Sequence, residues 1–247
     1  MSLFEYLENG TEDKKQLYYG VCPAVVTNIN DPEKLGRVKV KLLNLDIPDY
    51  ETDFIRVCTP MSGAQWGMMF FPNVGDEVLV SFAGGDLTRG YVIGSLWNKN
   101  FKTPAEIKEE NPVRIIKTKC GHKLVFDDTD GKEHIDIVTK GGLMVTLNDE
   151  KNCVTITDKN KKNIIKLDAQ NGAVTIQAEK KATISAGSTK IVLEDSGSLS
   201  MRSDSSAKLK SAKITVDGDS TEVKAGGTLN LSSNGQTAVK GSIVKIN

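Results

Sequence analysis

The chain has 247 residues, 32 basic and 32 acidic side chains with zero net charge, and only 6% aromatic residues. That balance speaks against broad electrostatic binding to nucleic acid or an anionic membrane, and the length allows one or two domains. All aromatics but Phe126 lie at or before Phe101, so the front can build an ordinary core while the back must bury small aliphatics over a long contact.

Residues 1–20 read as an N-terminal arm. Leu3, Phe4 and Leu7 fit one helical face, and Tyr18 and Tyr19 close the segment. The arm is either a frayed terminus or a docking device, because exposed aromatics suit a contact better than a solvated tail. Residues 21–98 read as a small β-barrel of the OB type. Its strand candidates are 22–28, 36–42, 53–58, 67–71, 77–82 and 91–96, separated by Pro, Gly, Asn and Asp turns. Arg37–Lys41 alternates, so Val38 and Val40 face a core while Arg37, Lys39 and Lys41 face water. Residues 99–112 form a charged linker between Pro104 and Pro112. Residues 113–141 read as transition strands, with alternation in 121–126 and 133–138.

Residues 142–247 carry a rhythm of about eight residues. Apolar i, i+2 pairs recur at Val154/Ile156, Ile165/Leu167, Val174/Ile176, Ile191/Leu193, Ile214/Val216 and Leu229/Leu231, with Gly, Asp, Asn, Ser and Lys between them. These twelve residues are the expected core of a needle. Short strands and turns repeated at a fixed period describe a β-solenoid or fibre. One strand per level cannot enclose a core. Either several octads of one chain form each coil, or three chains wind together, and periodicity alone does not choose.

Chemical motifs are sparse. Cys22, Cys58, Cys120 and Cys153 match no zinc spacing and fit free thiols of a reducing cytosol. The acidic start lacks the apolar stretch of a signal peptide, which predicts assembly in the cytoplasm. Asp127–Gly131 resembles a calcium loop but has Phe126 and Ile137 where ligands belong, so it reads as a β-turn. His122 and His134 lack companion ligands. No nucleophile elbow, zinc-protease helix or phosphate loop occurs, and neither a catalytic residue nor a cofactor or metal is expected. Trp66, Phe70 and Phe71 resemble base-stacking aromatics only superficially; neutral charge favours packing, and no nucleic-acid partner is expected.

The stretch 54–98 resembles the spike proteins of contractile injection machines: the protein V type of phage tails, the VgrG spikes of type VI secretion, and the spikes of tailocins and extracellular injection systems. The residues that carry the resemblance are Arg56-Val57, Trp66-Gly67, Pro72, Val74-Gly75-Asp76-Glu77-Val78, Gly85-Asp86, Arg89, Gly94 and Asn98, with 31–40, 121–128 and 133–137 as weaker flanks. Gly90 stands where the family often has proline. The resemblance implies an all-β protein, an N-terminal OB-fold barrel followed by a C-terminal triple-stranded, trimeric β-helix needle. It implies a structural central spike rather than an enzyme, one that caps the inner tube, binds a baseplate hub and pierces the target cell envelope. The hub-docking residues are then expected among Leu3, Phe4, Leu7, Tyr18 and Tyr19. The short arm implies a separate hub protein, and the short linker leaves no room for an inserted lysozyme. The chain ends without the His-x-His of iron-bearing tips, which leaves room for a PAAR-type tip protein. The competing reading is a β-helical tail protein that binds or degrades surface polysaccharide.

Overall fold

A computed structural model describes residues 17–44 and 50–246. Two compact units divide the chain, 1–177 and 178–247.

The first unit opens with a closed five-stranded barrel. Its strands are β1 (Val21–Asn28), β2 (Arg37–Leu42), β3 (Ile55–Val57), β6 (Glu77–Phe82) and β7 (Gly90–Ser95), in the order β1-β2-β3-β7-β6. A two-stranded hairpin, β4 (Ser62–Gly63) and β5 (Trp66–Gly67), interrupts the sequence between β3 and β6. All barrel contacts are antiparallel except β3 with β7, where Arg56 lies opposite Tyr91. Alternation drives closure: Cys22, Ala24 and Val26 on β1, Val38 and Val40 on β2, and Val78 and Val80 on β6 are all buried together with Val92. Near the β1–β2 turn, buried Asp31 accepts hydrogen bonds from Arg37 Nη2 at 2.7 Å and Nε at 3.0 Å, and from the backbone of Glu33 and Leu35. The Arg37 guanidinium holds the Asp31 carboxyl well below the usual carboxylate range.

The expectation of a barrel strand over 67–71 is corrected. Only Trp66–Gly67 is extended and paired there, and it pairs with the hairpin rather than the barrel. Gly67 has φ of +139°, and an added Cβ would lie 2.4 Å from the Met61 carbonyl. Only glycine fits that close approach, and Met68 donates to the Met61 carbonyl at 2.9 Å, one step further along the hairpin.

Beyond the linker, one seven-stranded antiparallel sheet runs from 113 to 177 in simple sequence order: β8 (Val113–Lys117), β9 (Lys123–Asp127), β10 (His134–Val138), β11 (Met144–Asn148), β12 (Cys153–Thr157), β13 (Ile164–Asp168) and β14 (Ala173–Gln177). It crosses the step expected between transition strands and repeat without a break. Left-handed residues reverse the chain at its turns: Gly131 (φ 66°), Gly142 (φ 87°), Asn152 (φ 44°) and Gly172 (φ 60°). At Asp127 the carboxylate accepts from the backbone N–H and the hydroxyl of Thr129, an Asx turn and not a cation loop. Octad strands in this stretch thus hydrogen-bond to neighbours in the same chain.

The second unit contains a three-stranded antiparallel sheet of β15 (Lys181–Ala186), β16 (Thr189–Glu194) and β17 (Leu199–Arg202). Further along, the octad rhythm predicts core strands at Ile214 and Val216 and at Leu229 and Leu231. Within one chain these strands are not formed. Val216 is 74% exposed and Leu231 is 79% exposed; Ile214 and Leu229 are also exposed, so none of the four is a core residue of the single chain. Residues 203–246 form no strand, because a lone extended segment has nothing to complete its ladder and no second layer to bury its side chains.

Candidate assembly surfaces

The register of the seven-stranded sheet sorts its side chains into two unlike faces. One face carries two ladders. The first runs Arg114, Phe126, Ile135, Leu147, Val154, Leu167, Val174 across β8 to β14; the second runs Ile116, Leu124, Ile137, Val145, Ile156, Ile165, Ile176. Apart from Arg114, every rung is apolar. The opposite face mixes Asp127, His134, Asp136, Thr146, Thr155, Lys166 and Asp168 with scattered aliphatics.

Exposure is inverted relative to an ordinary half-buried sheet. Most apolar rungs are open, with Leu124, Ile135, Val145 and Val154 half-buried. Leu147, Ile156, Ile165 and Leu167 are exposed, and at the β14 edge Ile176 reaches 62% and Val174 69%. These needle-core candidates are therefore uncovered in the single chain as well. The polar face is held by its own bonds. Thr146 Oγ1 donates to Asp136 at 2.6 Å, and Lys166 Nζ donates to Asp168 at 2.8 Å. Lys166, with help from Asn171, holds the Asp168 carboxyl down at about 2. In the second unit the same pattern returns, with Ala182, Leu193, Leu199 in one row and Ile184, Ile191, Met201 in the next.

The spike-motif residues resolve into barrel geometry. Arg56 donates from Nη2 to the Tyr91 hydroxyl at 2.8 Å and sits 4.9 Å from that ring. Pro72 is buried. Gly75, with φ of +93°, donates to the Val26 carbonyl at 2.8 Å, and Asp76 caps the Asn73 backbone N–H at 2.8 Å. Glu77 accepts from Asn98 Nδ2 at 2.6 Å, and the Asn98 side-chain oxygen accepts from the backbone of Asn100 and Phe101. Asp86 accepts from Thr88, while Gly85 and Arg89 shape the turn between β6 and β7. Gly90 is packed so closely that a Cβ would lie 3.1 Å from Ile55 and 3.2 Å from Phe82. Gly94 faces open space opposite Leu79, next to a bulge. These residues build turns and a ladder; none is paired as nucleophile and base. No group of three or more potential metal-ligating side chains occurs among the described residues.

Of the arm, Leu3, Phe4 and Leu7 lie outside the described residues. Tyr18 donates its backbone N–H to the Gly85 carbonyl at 2.8 Å and sets its ring edge-on to Phe82 at 6.0 Å. Its phenol is pushed up, first by neighbouring Cys22 and then by burial. Leu17 and Tyr19 remain exposed. Trp66 and Phe70, expected to pack, are exposed at the hairpin, and sequence reasoning missed Met61, Met68 and Met69 as exposed residues near them in the chain. The signal was present, because 57–75 contains no charged residue.

Residues 22–97 match the family described as the Type VI secretion system/phage-baseplate injector OB domain. Among similar proteins, the type VI secretion system spike protein VgrG2a of Pseudomonas aeruginosa is 30% identical over 105 residues, 39% of this chain and 12% of that protein. VgrG3 of Vibrio cholerae is 29% identical over 87 residues, 33% of this chain and 9% of that protein. The actin cross-linking toxin VgrG1 of Vibrio cholerae is 28% identical over 87 residues, 33% of this chain and 8% of that protein. The match therefore spans only a small part of each relative's length.

Proposed function

We propose, from the premise that residues 22–97 are a baseplate-type injector OB domain in a VgrG-like spike protein, that this chain is the central structural spike of a contractile injection machine. Three copies assemble. The barrels and the arm dock on a baseplate hub that joins the inner tube, and the β-rich remainder is the shaft driven into the target envelope. The reading is mechanical and assigns no residue a catalytic role. The particle is a phage tail or tail-like machine, and a separate tip protein is compatible with it.

The observation that carries the reading is the apolar double ladder, open along one face of a sheet whose inner strands β9 to β13 are paired on both sides within the chain. A solvated face of that length is unfavourable, since each fully buried aliphatic contributes about 1.5–3 kcal/mol. Three such sheets with ladders inward form a closed prism that covers every rung. The polar faces then lie outward, which suits passage through water and lipid headgroups. A polysaccharide-degrading groove is less well supported, because the repeat contains no aromatic side chain to stack on sugars.

The test is the solution mass of the full chain by light scattering. A species at three times the 26.8 kDa chain mass is expected. A clean monomer at high concentration would remove the reading.

A further inference from the structure

The barrel end carries a tryptophan knob and, beginning three residues further on, a groove that this tryptophan does not line. Trp66 lies flat on Gly63, so close that a Cβ there would lie 2.2 Å from the indole. The ring is thereby fixed in place while still 61% exposed. The flanking Met69 and Phe70 are more than half exposed. A rigid tryptophan among methionines in a segment free of charge has the composition of an interface centre. The groove, of about 370 Å³, adjoins the knob through Met69 and Phe70, continues along Phe71 and Pro72, and is walled on the other side by Ile116 and Thr118. Trp66 is not among its lining residues.

We propose that the Trp66 hairpin of one copy fills the Phe70–Ile116 groove of a second copy, so that the barrels lock head to tail around the assembly axis. The proposal rests on the three-copy reading and adds the contact that sets the barrels' mutual position. Continuity selects the occupant. Ile116 is both a wall of the groove and the first rung of the second apolar ladder. Whatever covers that ladder also passes over the groove, and in the three-copy reading it is another copy of this chain. Trp66 of one copy against a groove it does not line in its own chain makes a heterologous contact, which closes into a ring when the rotation is one third of a turn. A hub protein would have to enter the groove while the neighbouring copy lies along the same strip.

The test replaces Trp66 with the photo-crosslinking residue p-benzoylphenylalanine in the full chain. Solution mass is measured before irradiation and crosslinked peptides are mapped afterwards. The expected result is a trimer in which irradiation yields chains joined between position 66 of one copy and 69–72 or 116–119 of another. Isotopically mixed trimers, made by unfolding and refolding labelled with unlabelled chains, identify the joint as intermolecular. A trimer whose position 66 crosslinks only within its own chain, or to other segments of its neighbour, overturns the proposal and leaves the three-copy reading standing. A monomer defeats both. As an independent readout, Trp97→Phe leaves Trp66 as the sole tryptophan. Its quenching by acrylamide is expected to be several-fold weaker in the trimer than in the unfolded chain, and to rise in Thr118→Arg, a groove residue outside both ladders, at unchanged trimer mass. Full quenching of Trp66 in the intact trimer would also overturn the contact.

Discussion

The edge strand β14 gives the sharpest test of the three-copy shaft. Ile176 ends the second apolar ladder, opposite Ile165 on β13, and is 62% exposed in the single chain. Burying that remainder of an isoleucine is worth about 1–2 kcal/mol per copy, scaled from 1.5–3 kcal/mol for full burial. Ile176→Ser forfeits that amount in each of three copies, about 3–6 kcal/mol per trimer. At 1.4 kcal/mol per factor of ten, the trimer dissociation constant rises by about two to four orders of magnitude. Thr175 is the control, because it stands on the opposite face of the same strand, in register with Lys166. Thr175→Ala is expected to stay within about 0.5 kcal/mol. Sedimentation equilibrium over a dilution series reads the constant directly, and melting temperatures become dependent on protein concentration in the weakened variant. Two results would refute the reasoning. Either Ile176→Ser leaves the dissociation constant unchanged, or Thr175→Ala weakens the trimer as much.

Acid sensitivity follows from the pair on the polar face. Asp168 is held at about 2 by Lys166 and Asn171, below its ordinary value of 3.8. A depressed carboxylate adds stability above its unfolded pKa and loses it as pH falls through the folded one. The loss therefore falls between about pH 4 and pH 2, and Asp168→Asn should flatten that part of the far-UV circular dichroism profile without changing the profile above pH 5. Within the barrel, Gly90→Ala introduces a Cβ at 3.1–3.3 Å from Ile55 and Phe82. An overpacking cost of about 1–3 kcal/mol is expected, seen as a lower urea midpoint at unchanged slope. A midpoint equal to the parent's would mean that Ile55 and Phe82 yield freely.

The barrel was legible wherever alternation was clean. Val38 and Val40, and Val78 and Val80, point inward as their spacing requires. The segment 67–71 misled for a physical reason: Met68–Phe71 has the composition of a strand, but its backbone bond from Met68 goes to Met61 of the hairpin and not to a barrel strand. Strand β8 carries a weak signal, since the adjacent Ile115 and Ile116 break the period of two; Ile115 lies in the mixed row and Ile116 in the apolar one. Tyr18 reads in the sequence as part of a free arm, yet its ring lies against Phe82. That contact depends on the Gly85 turn, where an added Cβ would meet Leu17 at 3.1 Å, and no local pattern announces such an approach. The apolar ladders were legible residue by residue as i, i+2 pairs. Their grouping into two continuous rows depends on register, which hairpin turns fix and periodicity does not.

Those turns also explain why one rhythm gives two outcomes. Between 113 and 177 the apolar pairs are separated by residues in the left-handed region, Gly131, Gly142, Asn152 and Gly172, and each sends the chain back along its predecessor. The pairs Ile214 with Val216 and Leu229 with Leu231 are separated by Ser, Asp, Thr and Gly residues, and among the described residues none beyond Gly197 has a positive φ. Residues 203–246 form no ladder with their own preceding segment. Their backbone donors and acceptors then need partners from outside the segment. Exposed Val216 and Leu231 need cover from the same source. In the three-copy reading those partners are the equivalent segments of the other two chains, so the triple winding belongs to 203–246 while the prism of intrachain hairpins belongs to 113–177. The consequence is energetic as well as geometric. In that reading each chain forms the hairpin sheet alone, and assembly covers its apolar face. The last segment gains its ladder only in company and should order concertedly with assembly.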